Sequence, residues 1–264
     1  MSDYDETHGG RARAESAAAA LRVLIGQDAA TVVDVGGGTG IVSHLLRDRN
    51  RSVLVVDLSA AMLARAQHLL PGRVARARAE ALPLRCERVD AVVCVWLLHM
   101  LPPATVRNVV AEAARVLRVG GRFITTVDKA TAHDDGSDVA DATAELHHGY
   151  TGDASPDLYE HARSAGLTPL DSVTFTGHGQ GKAPWPYAAE LSQRRGDPVA
   201  ATAAQRLREL PLPHTPRPDP VYRLRSYRKT APLPVDPRPR VRHRRVITVA
   251  GEQDMALSTT PGRH

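Results

Sequence analysis

Four stretches of the chain place ligand-facing or titratable residue types at spacings that could do chemistry. The first is Asp34-x-Gly36-x-Gly38-x-Gly40, between the apolar run TVVDV and a helix-like pattern that begins at Ile41. The second is Asp57, twenty-one residues beyond Gly36, at the end of another apolar run, SVLVVD. The third is Ala79-Glu80 in AEALPL, and the fourth is Trp96 to Met100, which sets His99 just past the longest apolar run. Glycines between a strand and a helix let backbone approach a ligand closely. A plain strand–helix turn would use them too, so the spacing has to discriminate. A dinucleotide loop needs Gly-x-Gly-x-x-Gly, and counting from Gly36 or Gly38 the third position is Ile41 or Ser43. A phosphate loop needs Gly-Lys-Ser/Thr, which is missing here; GHGQGKA at 177–183 has the wrong spacing and ends in Ala. Asp34 beside the glycines makes phosphate unwelcome and favours a cationic ligand group.

These residues need a scaffold that brings strand ends together. Before the loop, RARAESAAAALRVLIG reads as a helix ended by Gly26. Strands and helices then alternate. TVVDV, SVLVVD, a weak RVARA, a long VDAVVCVWLL and RFITTV are the strands. IVSHLLRDR, SAAMLARAQHLL and PATVRNVVAEAARVLRVGG are the helices, with Ser59 a fitting N-cap and Pro103 near a helix start. Such alternation predicts a parallel sheet covered by helices on both faces, with ligands bound beyond the carboxyl ends of the strands. Past residue 128 the pattern loosens. DVADATAELHHGY, SPDLYEHARSAGL, YAAELSQRR and VAATAAQRLREL look helical, and LDSVTFTG looks like a strand. PVYRLRSYRK alternates like an antiparallel, edge-type strand.

Composition bounds the rest. With 264 residues, 42% apolar and only 4% aromatic, the chain suits one α/β domain with appendages, or at most two small domains, and a core of Val, Leu, Ala and Ile. The net charge of +5 is concentrated near the end, from Arg217 to Arg245. A basic tail can meet nucleic acid or acidic lipid, but interleaved prolines predict a solvated, disordered extension. Cys86 and Cys94 make neither a disulfide framework nor a metal-ligand spacing. The first ten residues are polar and acidic, and no apolar run nears the roughly 20 residues of a membrane span. A cytoplasmic protein without a metal, monomeric or homodimeric, is expected.

S-adenosylmethionine carries a sulfonium and an α-ammonium and no phosphate, which matches the acid-and-glycine loop. VVDVGGGTG resembles the first motif of the class I S-adenosylmethionine-dependent methyltransferases. The likeness continues in order and register through VVDLSAAMLARA, AEALPL, VDAVVCVWLLHML and EAARVLRVGGRFI, from about residue 28 to 128. It is nearest to the small-molecule, ubiquinone- and menaquinone-biosynthesis type. The resemblance implies a Rossmann-like fold: a mostly parallel seven-stranded sheet with helices on both faces and an antiparallel strand near the C-terminal end. It implies S-adenosylmethionine as cofactor, with Asp34, Gly36, Gly38 and Gly40 at its methionine end, Asp57 on the ribose hydroxyls, Leu58 against the adenine, and Ala79 and Glu80 recognising the adenine. Trp96 serves as core or cofactor wall, and His99 as the candidate base. One departure stands out: the family often has Gly-Asp where this chain has Ala77-Arg78. Asp90, at the start of the fourth strand, reads as structural.

The organisation expected is an N-terminal helix or cap over 1–27, the cofactor-binding core over 28–128, the rest of the domain with a substrate cap over 129–229, and the basic tail over 230–264. A small-molecule acceptor is expected, methylated on O, N or C. Base amino-methylation wants an aromatic after Pro-Pro, where Pro102-Pro103 is followed by Ala104; Cys94 lies inside the apolar run; and metal-assisted catechol methylation wants acids where Trp96 and Leu97 stand. Nucleic acid is therefore not the expected partner. An RNA methyltransferase using the tail and a non-catalytic cofactor-binding module are the competing readings. The acceptor pocket is sought at Tyr4, in 129–155 (His133, His147, His148, Tyr150) and in 176–190 (His178, Trp185, Tyr187).

Overall fold

In a computed structural model of the protein, the described residues are 4–7, 9–133, 136–147 and 152–231. The tail beyond Ala231, His148, Tyr150 and the side chains of Tyr4, His133 and His147 lie outside them. The chain runs α1 (Tyr4–Thr7), α2 (Gly10–Ile25), β1 (Thr31–Val35), α3 (Ile41–Leu46), β2 (Ser52–Asp57), α4 (Ala60–Leu69), β3 (Val74–Arg76), β4 (Val89–Cys94), α5 (Pro103–Val116) and β5 (Leu117–Val127). It continues through α6 (Asp138–Thr143), α7 (Ser155–Ser164), β6 (Leu167–Thr176), α8 (Pro184–Ser192), α9 (Pro198–Arg208) and β7 (Val221–Lys229).

The strands form one sheet in the order β3-β2-β1-β4-β5-β7-β6. β1 to β5 pair in parallel, and β7 runs antiparallel to both neighbours. Strands β1 and β4 are nearly continuous apolar runs because helices cover both faces. On one face Val33, Val35, Val92 and Cys94 pack under α5 and α7. On the other, Val32, Val53, Ala91 and Val93 pack under α2 and α3. Helix α5 shows why these helices form: Pro103 opens it, and Val106, Val109, Val110, Ala113 and Val116 make one buried stripe. Helices α6, α8 and α9 form a separate small core of Ala and Leu, beside the sheet rather than on it.

Three boundaries differ from the sequence reading. VDAVVCVWLL leaves the sheet at Cys94 instead of continuing, because Trp96 takes a left-handed backbone conformation, φ 55°. The α5 helix ends at Val116, and LRVGG already belongs to β5, with a register shift opposite β4. β7 is not an edge strand. Its alternation is present, but Tyr222 and Leu224 serve one face and Tyr227 the other, and the strand lies between β5 and β6. The edge on that side of the sheet is β6, mostly exposed and interrupted between Pro169 and Ser172, where a proline without an N–H suits an unpaired side.

Asp90 is structural, as the sequence suggested. It is 6% exposed and accepts from the amides of Ala30 (2.7 Å) and Thr31 (2.8 Å), while Arg118 pairs with its other oxygen at 2.7 Å. It therefore clamps the entry of β1 to β4, and β1 carries the glycine loop. Asp90→Ala leaves those amides without their charged acceptor and is expected to cost about 2–3 kcal/mol, read as a lower urea midpoint at unchanged slope.

Candidate functional site

The glycine loop joins β1 to α3 at the carboxyl edge of the sheet. Gly36 adopts φ +72°, and a Cβ there would lie 2.9 Å from the Leu97 side chain, so only glycine lets the loop close over the end of β4. A Cβ at Gly37 would come within 2.7 Å of the Asp34 carboxylate. Asp34 is thus roofed by its own loop. It is 3% exposed, and the Ser43 hydroxyl donates to it from the first turns of α3. Burial, reinforced by the charge of Asp57 and only partly offset by Ser43, pushes the Asp34 carboxyl up from 3.8 to about 6.

Asp57, at the end of β2, accepts from the Gly38 amide at 3.0 Å and from the Ser59 amide at 2.8 Å. Ser59 is itself the N-cap of α4, bonded to the Met62 amide, so Asp57 is free of that duty. Its carboxylate ties the glycine loop to the neighbouring strand end. The N-terminal segment closes the loop from above, where Asp5 accepts from the Thr39 hydroxyl at 2.7 Å.

A cavity of about 450 Å³ opens here. Asp5, Asp34, Gly36, Gly38 and Asp57 line one side of it, and Trp96, Leu97 and His99 line the end of β4. Gly40 does not line it; a Cβ at Gly40 would stand 3.1 Å from Ala66, so this glycine lets α4 pack against the start of α3. The left-handed Trp96 is held by its amide, which donates to Thr126 at 2.9 Å. Its ring meets Phe175 and Tyr222 edge-on, each at 5.7 Å, and the Arg13 guanidinium stacks over it at 3.5 Å. Trp96 is therefore both core and cavity wall. Non-glycine residues in this conformation cost energy and concentrate at functional sites. His99 sits on the short 3₁₀ turn Leu98–Met100 that follows. Cys94 is fully buried in the strand, and burial raises its thiol far above the ordinary range, so it is core and not a nucleophile.

A second cavity, of about 150 Å³, adjoins the first and shares Gly36, Asp57 and Leu97 with it. Leu58, Ala79 and Glu80 line its far side. Glu80 is paired with Arg78, which donates from Nε at 2.6 Å. Arg78, one of the two residues that depart from the family pattern, is thus the partner of Glu80. This wall is fastened to α5 by Arg115, which donates to the Leu84 carbonyl (2.9 Å) and to Glu112 (2.6 Å), while Glu112 accepts from the Leu82 amide.

A third cavity, of about 210 Å³, lies under the α6/α8/α9 core and shares Arg13 and Lys129 with the first. Its walls come from 129–143 and 180–187, the segments where the sequence reading sought an acceptor pocket, and from the approach to β7. Tyr187 lines it. Two other aromatic-wall candidates do not: Trp185 is half exposed, donates to the Arg208 carbonyl and packs on His214, and His178 is half exposed beside Asp219. The residues that do line it, Arg13, Lys129, Lys182 and Arg217, escaped sequence reasoning because charge alone gave no reason to separate them from a solvated surface. Lys129 carried one available signal, its place just past the RFITTV strand.

A buried acid, glycines without room for side chains, a carboxylate on the next strand end and an apolar slot suit a nucleoside bearing a cationic tail. Residues 33–125 match the family model described as a methyltransferase domain. An uncharacterised methyltransferase of Mycobacterium bovis is 38% identical over 105 residues, 39% of this chain and 42% of that protein. A ubiquinone biosynthesis O-methyltransferase of Pseudomonas fluorescens is 33% identical over 108 residues, 37% of this chain and 44% of that protein. The chain thus spans about two fifths of the length of these curated relatives. The solved structure of geranyl diphosphate C-methyltransferase from Streptomyces coelicolor, with S-adenosyl-L-homocysteine, superposes with a TM-score of 0.51 at 18% identity, over 81% of this chain and 77% of that one. At that identity the likeness concerns the fold. Residues 33–125 thus match a methyltransferase domain, and the seven-stranded sheet that holds them has the Rossmann-like methyltransferase fold.

Proposed function

We propose that the protein is a class I S-adenosylmethionine-dependent methyltransferase acting on a small molecule. The observation that carries this reading is the pair of adjoining cavities that share Gly36, Asp57 and Leu97, one acidic and the other lined by Leu58 and Ala79. The donor set fits the cofactor: Asp34 and Asp5 offer negative charge to a cation, Gly36 and Gly37 leave no room for side chains, and the Asp57 carboxylate reaches the cavity where two hydroxyls could donate to it. When bound, S-adenosylmethionine supplies an electrophilic methyl group whose leaving group is a neutral thioether.

The chain's own task is then mainly positioning. Holding acceptor and methyl donor in line can contribute up to ~7–11 kcal/mol. The left-handed turn at Trp96 aims the Trp96–His99 segment into the cavity, and the Arg13 stack keeps Trp96 in place. His99 is the base in this reading, removing a proton from an acceptor that arrives as a phenol or a carbon acid. An acceptor with a free lone pair needs no base. A role in quinone or secondary-metabolite biosynthesis is the finer reading, supported by the ubiquinone biosynthesis O-methyltransferase relative.

Isothermal titration with S-adenosylhomocysteine is expected to give one site per chain, and a flat titration would overturn the assignment. Asp57→Ala should weaken that binding by about 1.5–3 kcal/mol, the range for hydrogen bonds to a charged acceptor.

Asp34 adds a pH dependence. Its carboxyl is raised above the unfolded value, so its favourable contribution is complete below about pH 3.8 and is lost as pH rises through about 6. At about 1.36 kcal/mol per unit, Asp34→Asn should stabilise the ligand-free protein at pH 8 by up to about 3 kcal/mol and have no effect near pH 3. A cationic ligand favours the ionised form. S-adenosylmethionine should therefore bind more tightly as pH rises through about 6 in the parent protein, and with a flat pH profile in Asp34→Asn.

A further inference from the structure

The third cavity meets the first at Arg13 and Lys129 and shares no described lining residue with the second. It therefore adjoins the first cavity at the end away from Leu58 and Ala79. A cavity of about 150 Å³ accommodates benzene. The third, at about 210 Å³, has room for one ring with a few substituents. The rings of Tyr187 and Tyr222, with Pro218 and Pro220, give it apolar walls that suit a planar group. Two neutral polar groups in those walls are uncommitted. Neither the Gln180 side-chain amide nor the Tyr187 hydroxyl has a hydrogen-bond partner among the described residues. Small-molecule sites combine apolar walls with a few such groups, which fix orientation. Burial, reinforced by Glu190 and opposed by Arg194, raises the Tyr187 hydroxyl above its ordinary range, so it keeps its proton and can donate. Its ring packs on the α6/α8/α9 core, with the Lys182 ammonium 5.0 Å from the ring centre. Gln180 is placed by the GHGQG stretch. A Cβ at Gly177 would collide with the Tyr222 ring, and one at Gly181 with the Arg217 carbonyl, so glycine lets this loop lie against both. Asp219 then accepts from the amides of Gln180 (2.9 Å) and Gly181 (2.8 Å). The glycine spacing that fits no phosphate loop thus builds a cavity wall.

We propose that the third cavity holds the methyl acceptor, that the acceptor's body is a single ring with an oxygen substituent, and that Gln180 and Tyr187 select it by bonding to that oxygen. This rests on the reading of the first two cavities as the methyl donor's site. The Tyr187 ring also sets the size limit, because it occupies the space that a second ring of the acceptor would need.

The full chain, saturated with S-adenosylhomocysteine, is titrated with para-cresol and with para-phenylphenol, followed by NMR, and thermal melting checks the fold of each variant. Para-cresol is expected to bind while S-adenosylhomocysteine stays bound, and to bind about tenfold or more tightly than para-phenylphenol, the effect of forcing too large a group into a packed site. Gln180→Leu and Tyr187→Phe should each weaken para-cresol by about two- to tenfold, the loss of one neutral hydrogen bond. Tyr187→Ala removes a ring from the wall and should let para-phenylphenol bind more tightly than para-cresol. Failure of para-cresol to bind, an advantage over para-phenylphenol below about tenfold, displacement of S-adenosylhomocysteine, an unchanged para-cresol affinity in either Gln180→Leu or Tyr187→Phe, or a folded Tyr187→Ala chain that keeps the parent's preference would each overturn the proposal. Should the chain fail to bind S-adenosylhomocysteine, the methyltransferase reading falls by itself, and the same titrations on the unliganded chain still decide the ring site.

Discussion

The bond between the Asp57 carboxylate and the Gly38 amide is the interaction on which the site depends. It holds the tip of a loop rising from β1 against the end of β2. The loop can reach that position only because Gly36 passes over Leu97 and Gly37 over Asp34 with no side chain in the way. Once the loop is seated, three strand ends meet at one place. The acidic cavity and its apolar neighbour both follow from that meeting. The clamp of Asp90 on the first residues of β1 and the packing of Gly40 against Ala66 secure the same loop from its two ends.

Burial converts this geometry into electrostatics. Asp34 lies beneath backbone, where its charge is poorly solvated, and its partner in α3 is a hydroxyl rather than a cation. A site of this kind is costly when empty and favours a ligand that brings positive charge. Arg13 and Lys129 line the same cavity as Asp34 and reach the third cavity as well. The Trp96 ring, held in a left-handed backbone conformation and stacked by Arg13, forms part of the first cavity's wall.

Local patterns made the sheet legible in advance. Apolar runs bounded by glycines and acids marked β1, β2 and β4, and amphipathic spacing marked α5. Those signals concern neighbours in the chain, and neighbours in the chain decide strands and helices. The same locality explains the errors. The alternation in VYRLRSYRK reports that each face of β7 is partly covered. It cannot report whether a strand lies on either side, and β6 took the edge. The apolar run through Trp96 and Leu97 suggested more strand because hydrophobicity does not reveal a left-handed turn. The aromatic character of Trp185 suggested a cavity wall, but aromatic residues pack equally well on an outer face, and Trp185 found His214.

The sequence by itself determined the order of the strands along the chain, the glycine spacing that rejects a dinucleotide, and the acids that close β1 and β2. These are properties of residue type and separation, and together with the family resemblance they pointed to the donor chemistry. Only the tertiary structure decided which side chains share a cavity. Arg13 comes from the N-terminal helix and Lys129 from beyond the fifth strand, with more than a hundred residues between them. Folding brings the two charges to one wall, because a side chain's neighbours across a packed sheet are set by topology and not by distance along the chain.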